Sequence, residues 1–133
     1  MNPTNAKCVP FWIKPLPHER LETPRKYAFL LIPGFSTVGF SCAIEALSLA
    51  NRHPSGTQFY QWRLISETGA PVSAYNGVSF NVDAALPELS RDETIVVCAG
   101  ENVGAGSTKT VLNWLRREAR KGMEIGALSS GTY

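Results

Sequence analysis

The sequence is poor in the residues that build metal centres and disulfide frameworks. Among its 133 residues are three cysteines, Cys8, Cys42 and Cys98, and two histidines, His18 and His53. The cysteines are odd in number and have no metal-site spacing, and the histidines stand alone. We therefore predict no disulfide framework, no metal site and no cofactor, and a reducing cytoplasm as the environment.

Charge and long apolar runs are also scarce. Charged residues make up 18% of the chain and its formal net charge is +2, too little for a surface that coats nucleic acid. No apolar run approaches the roughly 20 residues that a membrane span needs, and no signal-peptide core is present. The apolar fraction of 44% suffices for the core of one compact domain.

Proline divides the chain into two parts. Residues 1–26 contain five prolines, which oppose regular structure, so we predict a Pro-rich N-terminal arm there and a folded domain over residues 27–133.

Within the domain, buried apolar runs alternate with helical patterns. The runs 27–32, 59–66, 94–99 and 124–128 predict strands, and Asn76-Gly77 predicts a hairpin between 72–75 and 78–82. A first helix, capped by Thr37, is predicted to run to about residue 51, and a second, capped by Ser107, to residue 121. The second helix should turn one apolar side inward, formed by Val111, Trp114, Leu115 and Ala119. This order predicts an α/β fold with a mainly parallel sheet.

Ligands of such sheets bind outside the carboxyl ends of the strands. Three turns should meet there, and they supply the predicted ligand-binding residues: Gly34, Phe35, Gly100, Glu101, Ser129 and Ser130. The amides of Gly100 and Ser130 could together form an anion or oxyanion cradle.

Ser129 stands where a strand-to-helix elbow would expose a nucleophile. No histidine follows it before the last residue, Tyr133, and a serine hydroxyl without a base is a poor nucleophile. A structural or ligand-binding elbow is the favoured interpretation, and a reactive serine is the alternative.

Other polar groups have ordinary interpretations. Glu45 is expected on an exposed helix face, with a pocket-facing position as the alternative. A basic cluster near the end of the second helix is expected to be solvated, with a partner or nucleic-acid patch as the alternative; it consists of Arg116, Arg117, Arg120 and Lys121.

Several segments together resemble the opening of the GlxA-like AraC-family transcriptional regulators. They run in order over residues 27–133 and include Leu31-Ile32-Pro33-Gly34-Phe35-Ser36, Ala43-Ile44-Glu45-Ala46-Leu47 and Ile125-Gly126-Ala127-Leu128-Ser129-Ser130-Gly131. The resemblance implies a flavodoxin-like, PfpI-like domain (class I glutamine-amidotransferase-like), followed in the family by helix-turn-helix modules. It also implies a small-molecule effector, such as the quaternary ammonium compounds carnitine or glycine betaine.

Two departures from the PfpI-like enzymes bear on catalysis. Ser129 occupies the position of their cysteine, and Gly39 that of their acidic residue. We therefore expect no catalytic residues, and Ser129 as a pseudo-nucleophile in an incomplete, non-catalytic sensing domain. We further expect a homodimer that reaches DNA only through a C-terminal region absent from this chain. The alternatives are a serine-dependent hydrolase or lyase that uses Ser129, and a pure dimerisation module.

Overall fold

The computed structural model describes residues 23–129, so most of the predicted arm, Ser130 and Gly131 lie outside the described residues. The elements are β1 (Arg25–Leu31), α1 (Thr37–Asn51), β2 (Tyr60–Ile65), β3 (Val72–Ser73), β4 (Ser79–Phe80), β5 (Glu93–Cys98), α2 (Val103–Gly106), α3 (Lys109–Arg120) and β6 (Glu124–Leu128).

Four strands form one parallel sheet in the order β2-β1-β5-β6. Strand β1 lies between β2 and β5, so that Ala28 is opposite both Arg63 and Ile95. A strand buried on both faces carries apolar residues at every position, which is why its continuous apolar run predicts it well. The predicted α/β fold with a mainly parallel sheet is confirmed.

Alternating residues of β1 serve the two faces of the sheet. Ala28 and Leu30 belong to the core cluster that contains Val111 and Trp114 of α3. Phe29 and Leu31 belong to the other cluster, which contains Phe40 of α1. The two helices therefore cover opposite faces of the sheet.

Both long helices differ from prediction at their first residues. Ser36, not Thr37, is the N-cap of α1. The glycine-rich segment closes into the unpredicted short helix α2, whose C-cap is Ser107. Thr108 therefore caps α3, and its hydroxyl accepts a hydrogen bond from the amide of Val111 at 3.2 Å.

The inward side of α3 contains a carboxylate. Ala119 was predicted to face inward and is exposed, whereas Glu118 is fully buried. The buried residues Val111, Trp114 and Glu118 are spaced by three and four, so they share one face of the helix. Ala119 lies outside that face. Among the described residues, one Glu118 oxygen accepts from exposed cations at 3.2 and 3.3 Å, and the other has no hydrogen-bond partner.

The predicted hairpin is confirmed, with shorter strands than expected. Strands β3 and β4 pair antiparallel through two residue pairs. Gly77 has a φ of 84°, the left-handed conformation that a glycine in this turn provides. Within residues 23–129, no helix is long and apolar enough to cross a membrane.

Candidate functional site

The centre of the sheet provides a crevice at the carboxyl ends of its strands. From β1 the chain passes through α1 to β2, and from the adjacent β5 it passes through α3 to β6 on the other side. Connections that diverge from neighbouring strands leave a cleft between them. A cleft of about 290 Å³ lies there, lined by Ser36, Thr37, Val38, Tyr75, Asn76, Gly100, Glu101 and Ser129.

Two glycines bring the turns after β1 and β5 into contact. A Cβ on Gly100 would overlap the carbonyl oxygen of Gly34, so only glycine permits this backbone approach. The same turns are joined by hydrogen bonds from the amide of Ser36 to Ala99 O, 3.1 Å, and from the amide of Ile32 to Cys98 O, 3.0 Å. The base of the cleft thus consists of closely packed, hydrogen-bonded backbone.

An aromatic cluster positions the hairpin beside the cleft. Phe35 is fully buried and meets Phe40 and Phe80 edge-on, at centroid distances of 5.6 and 5.3 Å. The hairpin is also tied to the turn after β1, because the amide of Tyr75 donates to Phe35 O at 3.0 Å. Tyr75, with 66% of its surface exposed, and Asn76 consequently reach the cleft.

Ser129 has the backbone geometry of an elbow. Its φ is 55°, and among the described residues it is the only non-glycine with a positive φ. Non-glycine residues adopt this conformation at an energetic cost, and such residues cluster at functional sites. The residue follows β6 directly, is exposed and lines the cleft.

The described residues place no histidine near Ser129. His53 follows the carboxyl end of α1, whose 15 residues begin at the cleft. A helix of that length spans about 22 Å, so His53 lies at the opposite end of the sheet. Glu101 is the carboxylate that lines the cleft, and it is exposed.

Cys98 cannot replace the reactive cysteine that the PfpI-like enzymes have at the position of Ser129. It is 1% exposed, and burial raises the pKa of its thiol to about 12. The reactive form of cysteine is the thiolate, which is nearly absent at neutral pH for such a group.

The amino end of α1 supplies a positive pole to the cleft. The Ser36 side chain makes no cap hydrogen bond with the first turn. The hydroxyl oxygen of Thr37 is buried and has no hydrogen-bond partner within residues 23–129. Uncapped amides at a helix start favour a negatively charged group.

The structure therefore brings Gly100, Glu101 and Ser129 to one cleft. Gly34 lies beneath Gly100, Phe35 is in the core, and Ser130 is outside the described residues. The binding roles of these six residues remain predictions.

Sequence reasoning did not identify Tyr75, Asn76 or the first turn of α1 as cleft residues. The Asn76-Gly77 turn predicted a hairpin, but only the contacts of Phe35 and Phe80 determine where its tip lies.

Other predicted features lie away from the cleft. Glu45 is exposed, as expected, and so are all four cations of the basic cluster. Within the described residues no group of three or more histidine, cysteine, aspartate or glutamate side chains could hold a metal ion. A second cavity of about 350 Å³ lies beyond the end of β1, next to the loop that contains Glu67. Ser129 does not line it.

Comparison with known proteins finds transcriptional regulators among the relatives of this chain. No model of a protein family matches the chain. The HTH-type transcriptional regulator CdhR of Pseudomonas aeruginosa is 39% identical over 104 residues, which are 78% of this chain and 30% of that protein. The chain spans about a third of the length of the curated relatives it matches.

Solved structures show the same fold. An AraC family transcriptional regulator from Pseudomonas putida has a TM-score of 0.62 and 25% identity, over 78% of this chain and 64% of that one. A ThiJ/PfpI family protein from Pseudomonas syringae has a TM-score of 0.61 and 19% identity, over 83% of this chain and 44% of that one. The resemblance to AraC-family regulators and the flavodoxin-like, PfpI-like fold are confirmed.

Proposed function

Because the relatives of this chain are HTH-type transcriptional regulators and its fold is that of the ThiJ/PfpI proteins, we propose that it senses a small effector for an AraC-family regulator. The observation that carries this proposal is the cleft itself. Ser129, an elbow residue with a left-handed backbone, lines this cleft together with Glu101 and the start of α1, and His53, the one histidine among the described residues, lies at the other end of the sheet.

The groups around the cleft suit a small zwitterion. The uncapped start of α1 favours a carboxylate. Glu101 would attract a cation, and the exposed Tyr75 ring offers a face for a quaternary ammonium group. A volume of about 290 Å³ is at the lower limit for ligand pockets and fits a small metabolite. Glycine betaine and carnitine have this chemistry.

The effector is bound without being changed. A serine hydroxyl needs a base to become a nucleophile, and His53, the one histidine within residues 23–129, lies at the opposite end of the sheet. Burial and its raised pKa keep the Cys98 thiol out of the chemistry. Ser129 then serves as a pseudo-nucleophile whose elbow shapes the cleft.

The sensing domain acts within a larger regulator. In this proposal the sensing domain comprises residues 27–133 and follows the Pro-rich arm, residues 1–26, in the sequence. It works in the cytoplasm as part of a homodimer. DNA binding belongs to a helix-turn-helix region outside these residues. In the full-length regulator, operator affinity should change when the effector binds. The sensing role is wrong if every candidate metabolite leaves operator affinity unaltered.

Titration calorimetry tests the site in this chain. Glycine betaine and carnitine should bind, and Glu101→Gln, which keeps the side-chain size but removes the charge, should weaken binding about fivefold or more. Glu88→Gln removes an exposed loop carboxylate outside the cleft and should leave binding unchanged. Equal affinities for the wild type and Glu101→Gln would contradict the proposed placement.

The strained backbone of Ser129 favours one competing function, a serine-dependent hydrolase or lyase. A serine-directed fluorophosphonate distinguishes the two. Labelling that occurs in the wild type and disappears in Ser129→Ala would support the enzyme and count against a non-reactive cleft.

A further inference from the structure

The second cavity, of about 350 Å³, combines apolar walls with a single charged residue. Its walls include Ile32 and Pro33, which follow β1, together with Val72 and Val111. Ile32, Val72 and Val111 belong to the buried core. Glu67, which follows β2, has the only ionisable side chain among the described residues that line the cavity. We call this cavity the Glu67 pocket.

The loop that carries Glu67 is held in place by the preceding residue, Ser66. This serine is 3% exposed, and its amide donates a hydrogen bond to Ala84 O at 3.1 Å. Its hydroxyl donates to Ala70 O at 3.1 Å and accepts from the amide of Gly69 at 3.0 Å. Gly69 has a φ of 78°, the left-handed conformation that lets the chain turn back here. The fold therefore fixes this side of the pocket.

A second wall is closed by the short helix α2. A Cβ on its last residue, Gly106, would lie 2.7 Å from the side chain of Ile32 and 3.0 Å from Pro33 O, so this approach to the end of β1 requires glycine. The amide of Gly106 is occupied, because it donates to Asn102 O at 3.1 Å. This wall therefore offers apolar contact and no amide that could bind an anion.

Glu67 has no cation beside it in this part of the chain. No hydrogen bond or ion pair within residues 23–129 involves its side chain, and it is half-buried. A carboxylate beside apolar walls is screened less by water than one on an open surface, so it attracts a cation more strongly. Since no basic side chain is found among the described residues that line the pocket, a ligand's own carboxylate would gain nothing there.

We propose that the Glu67 pocket is a second ligand site, which takes a small primary amine with an apolar chain. The ammonium group would pair with the carboxylate of Glu67, and the chain would lie against Ile32, Val72 and Val111. The volume of about 350 Å³ is within the range of ligand pockets. The pocket shares no lining residue with the cleft, and this inference does not depend on the sensing role.

An NMR titration of the isotope-labelled chain with n-butylamine tests the site, because amide shifts report both affinity and position. The shifts should centre on Gly69 and Gly106 and leave Gly100 and Ser129 unmoved. Ethylamine should bind about tenfold more weakly, because each methylene in contact with apolar walls tightens binding up to about fourfold. The uncharged 1-butanol, which has the same chain, should also bind more weakly than n-butylamine.

Three variants test the contribution of the pocket. Glu67→Gln keeps the side-chain size but removes the charge, and should raise the Kd for n-butylamine about fivefold or more. Ala70→Leu, an exposed position on the rim, should also weaken binding because the larger side chain fills part of the pocket. Glu88→Gln is the matched control, because Glu88 is an exposed loop carboxylate that lines neither the pocket nor the cleft. Circular dichroism should show that all three variants are folded.

Four results would each overturn the second site. They are a wild-type chain that does not bind n-butylamine, shifts that centre on Gly100 and Ser129, equal affinities for n-butylamine and 1-butanol, and a Glu67→Gln variant that binds n-butylamine as tightly as Glu88→Gln does. The first two would show that the pocket is empty or that the amine occupies the cleft, and the last two would show that the charge of Glu67 does not contribute.

Discussion

Replacement of Gly100 by alanine is the most informative single change in the cleft. The new methyl group would overlap the carbonyl oxygen of Gly34. Gly34 is also held in place by β3, because its amide donates a hydrogen bond to Ser73 O at 2.9 Å. Neither turn can yield by a simple side-chain rotation. Gly100→Ala must therefore displace the base of the cleft.

The expected loss of stability combines two opposing effects. Overpacking a tight site costs about 1–3 kcal/mol, and the upper part of that range applies where only backbone can move. Loss of glycine's freedom in the unfolded chain offsets about 0.4–1 kcal/mol. A net loss of about 2 kcal/mol lowers the Tm of a domain this size by about 10 °C.

Gly39→Ala is the matched control. A Cβ at Gly39 would meet no atom within 4 Å, and Gly39 lies in the helix α1. Alanine there should raise the free energy of unfolding by about 0.5–1 kcal/mol. Urea unfolding followed by circular dichroism measures both variants. If Gly100→Ala is as stable as the wild type, the close approach of the two turns is refuted.

The remaining predictions concern three other groups. Glu118→Leu should leave the free energy of unfolding, measured in urea, unchanged or raise it by about 1–3 kcal/mol. The cations beside this buried carboxylate are exposed, so they would become solvated when it is removed. A clear loss of stability would contradict this. Ellman's reagent at pH 8 should modify the exposed Cys42 and spare Cys98 until the chain unfolds, because burial raises the pKa of Cys98 to about 12; modified native Cys98, found by peptide mass spectrometry, would refute its burial. Ser129→Val should have a lower Tm than Ser129→Gly, by the equivalent of about 1–2 kcal/mol, because its backbone is left-handed; the reverse order would argue against that conformation.

The parallel sheet could be predicted because its strands are buried on both faces. Such strands leave continuous apolar runs, and the runs that contain Ala28 and Ile95 are adjacent in the structure. The alternation of strands and helices then left few possible topologies. Helix starts were less certain, because Ser107 and Thr108 are both good caps and only the formation of α2 selects Thr108.

The candidate site was predictable where it consists of strand ends. Gly100, Glu101 and Ser129 follow buried strands, and the carboxyl ends of parallel strands meet at one edge. Tyr75 reaches the cleft through tertiary contacts of the hairpin, which no local pattern encodes. Phe35 follows the first turn, and its ring lies in the aromatic cluster, a position that depends on tertiary contacts; its ligand-binding role stays a prediction.

The central claim is that this cleft binds a small molecule without transforming it. A time course of ligand-observed NMR, with glycine betaine or carnitine added to the chain, tests the claim most directly. The account predicts saturation transfer from protein to ligand, weakened in Glu101→Gln, and a ligand spectrum that does not change over hours. New product signals that appear with the wild type and vanish with Ser129→Ala would contradict it.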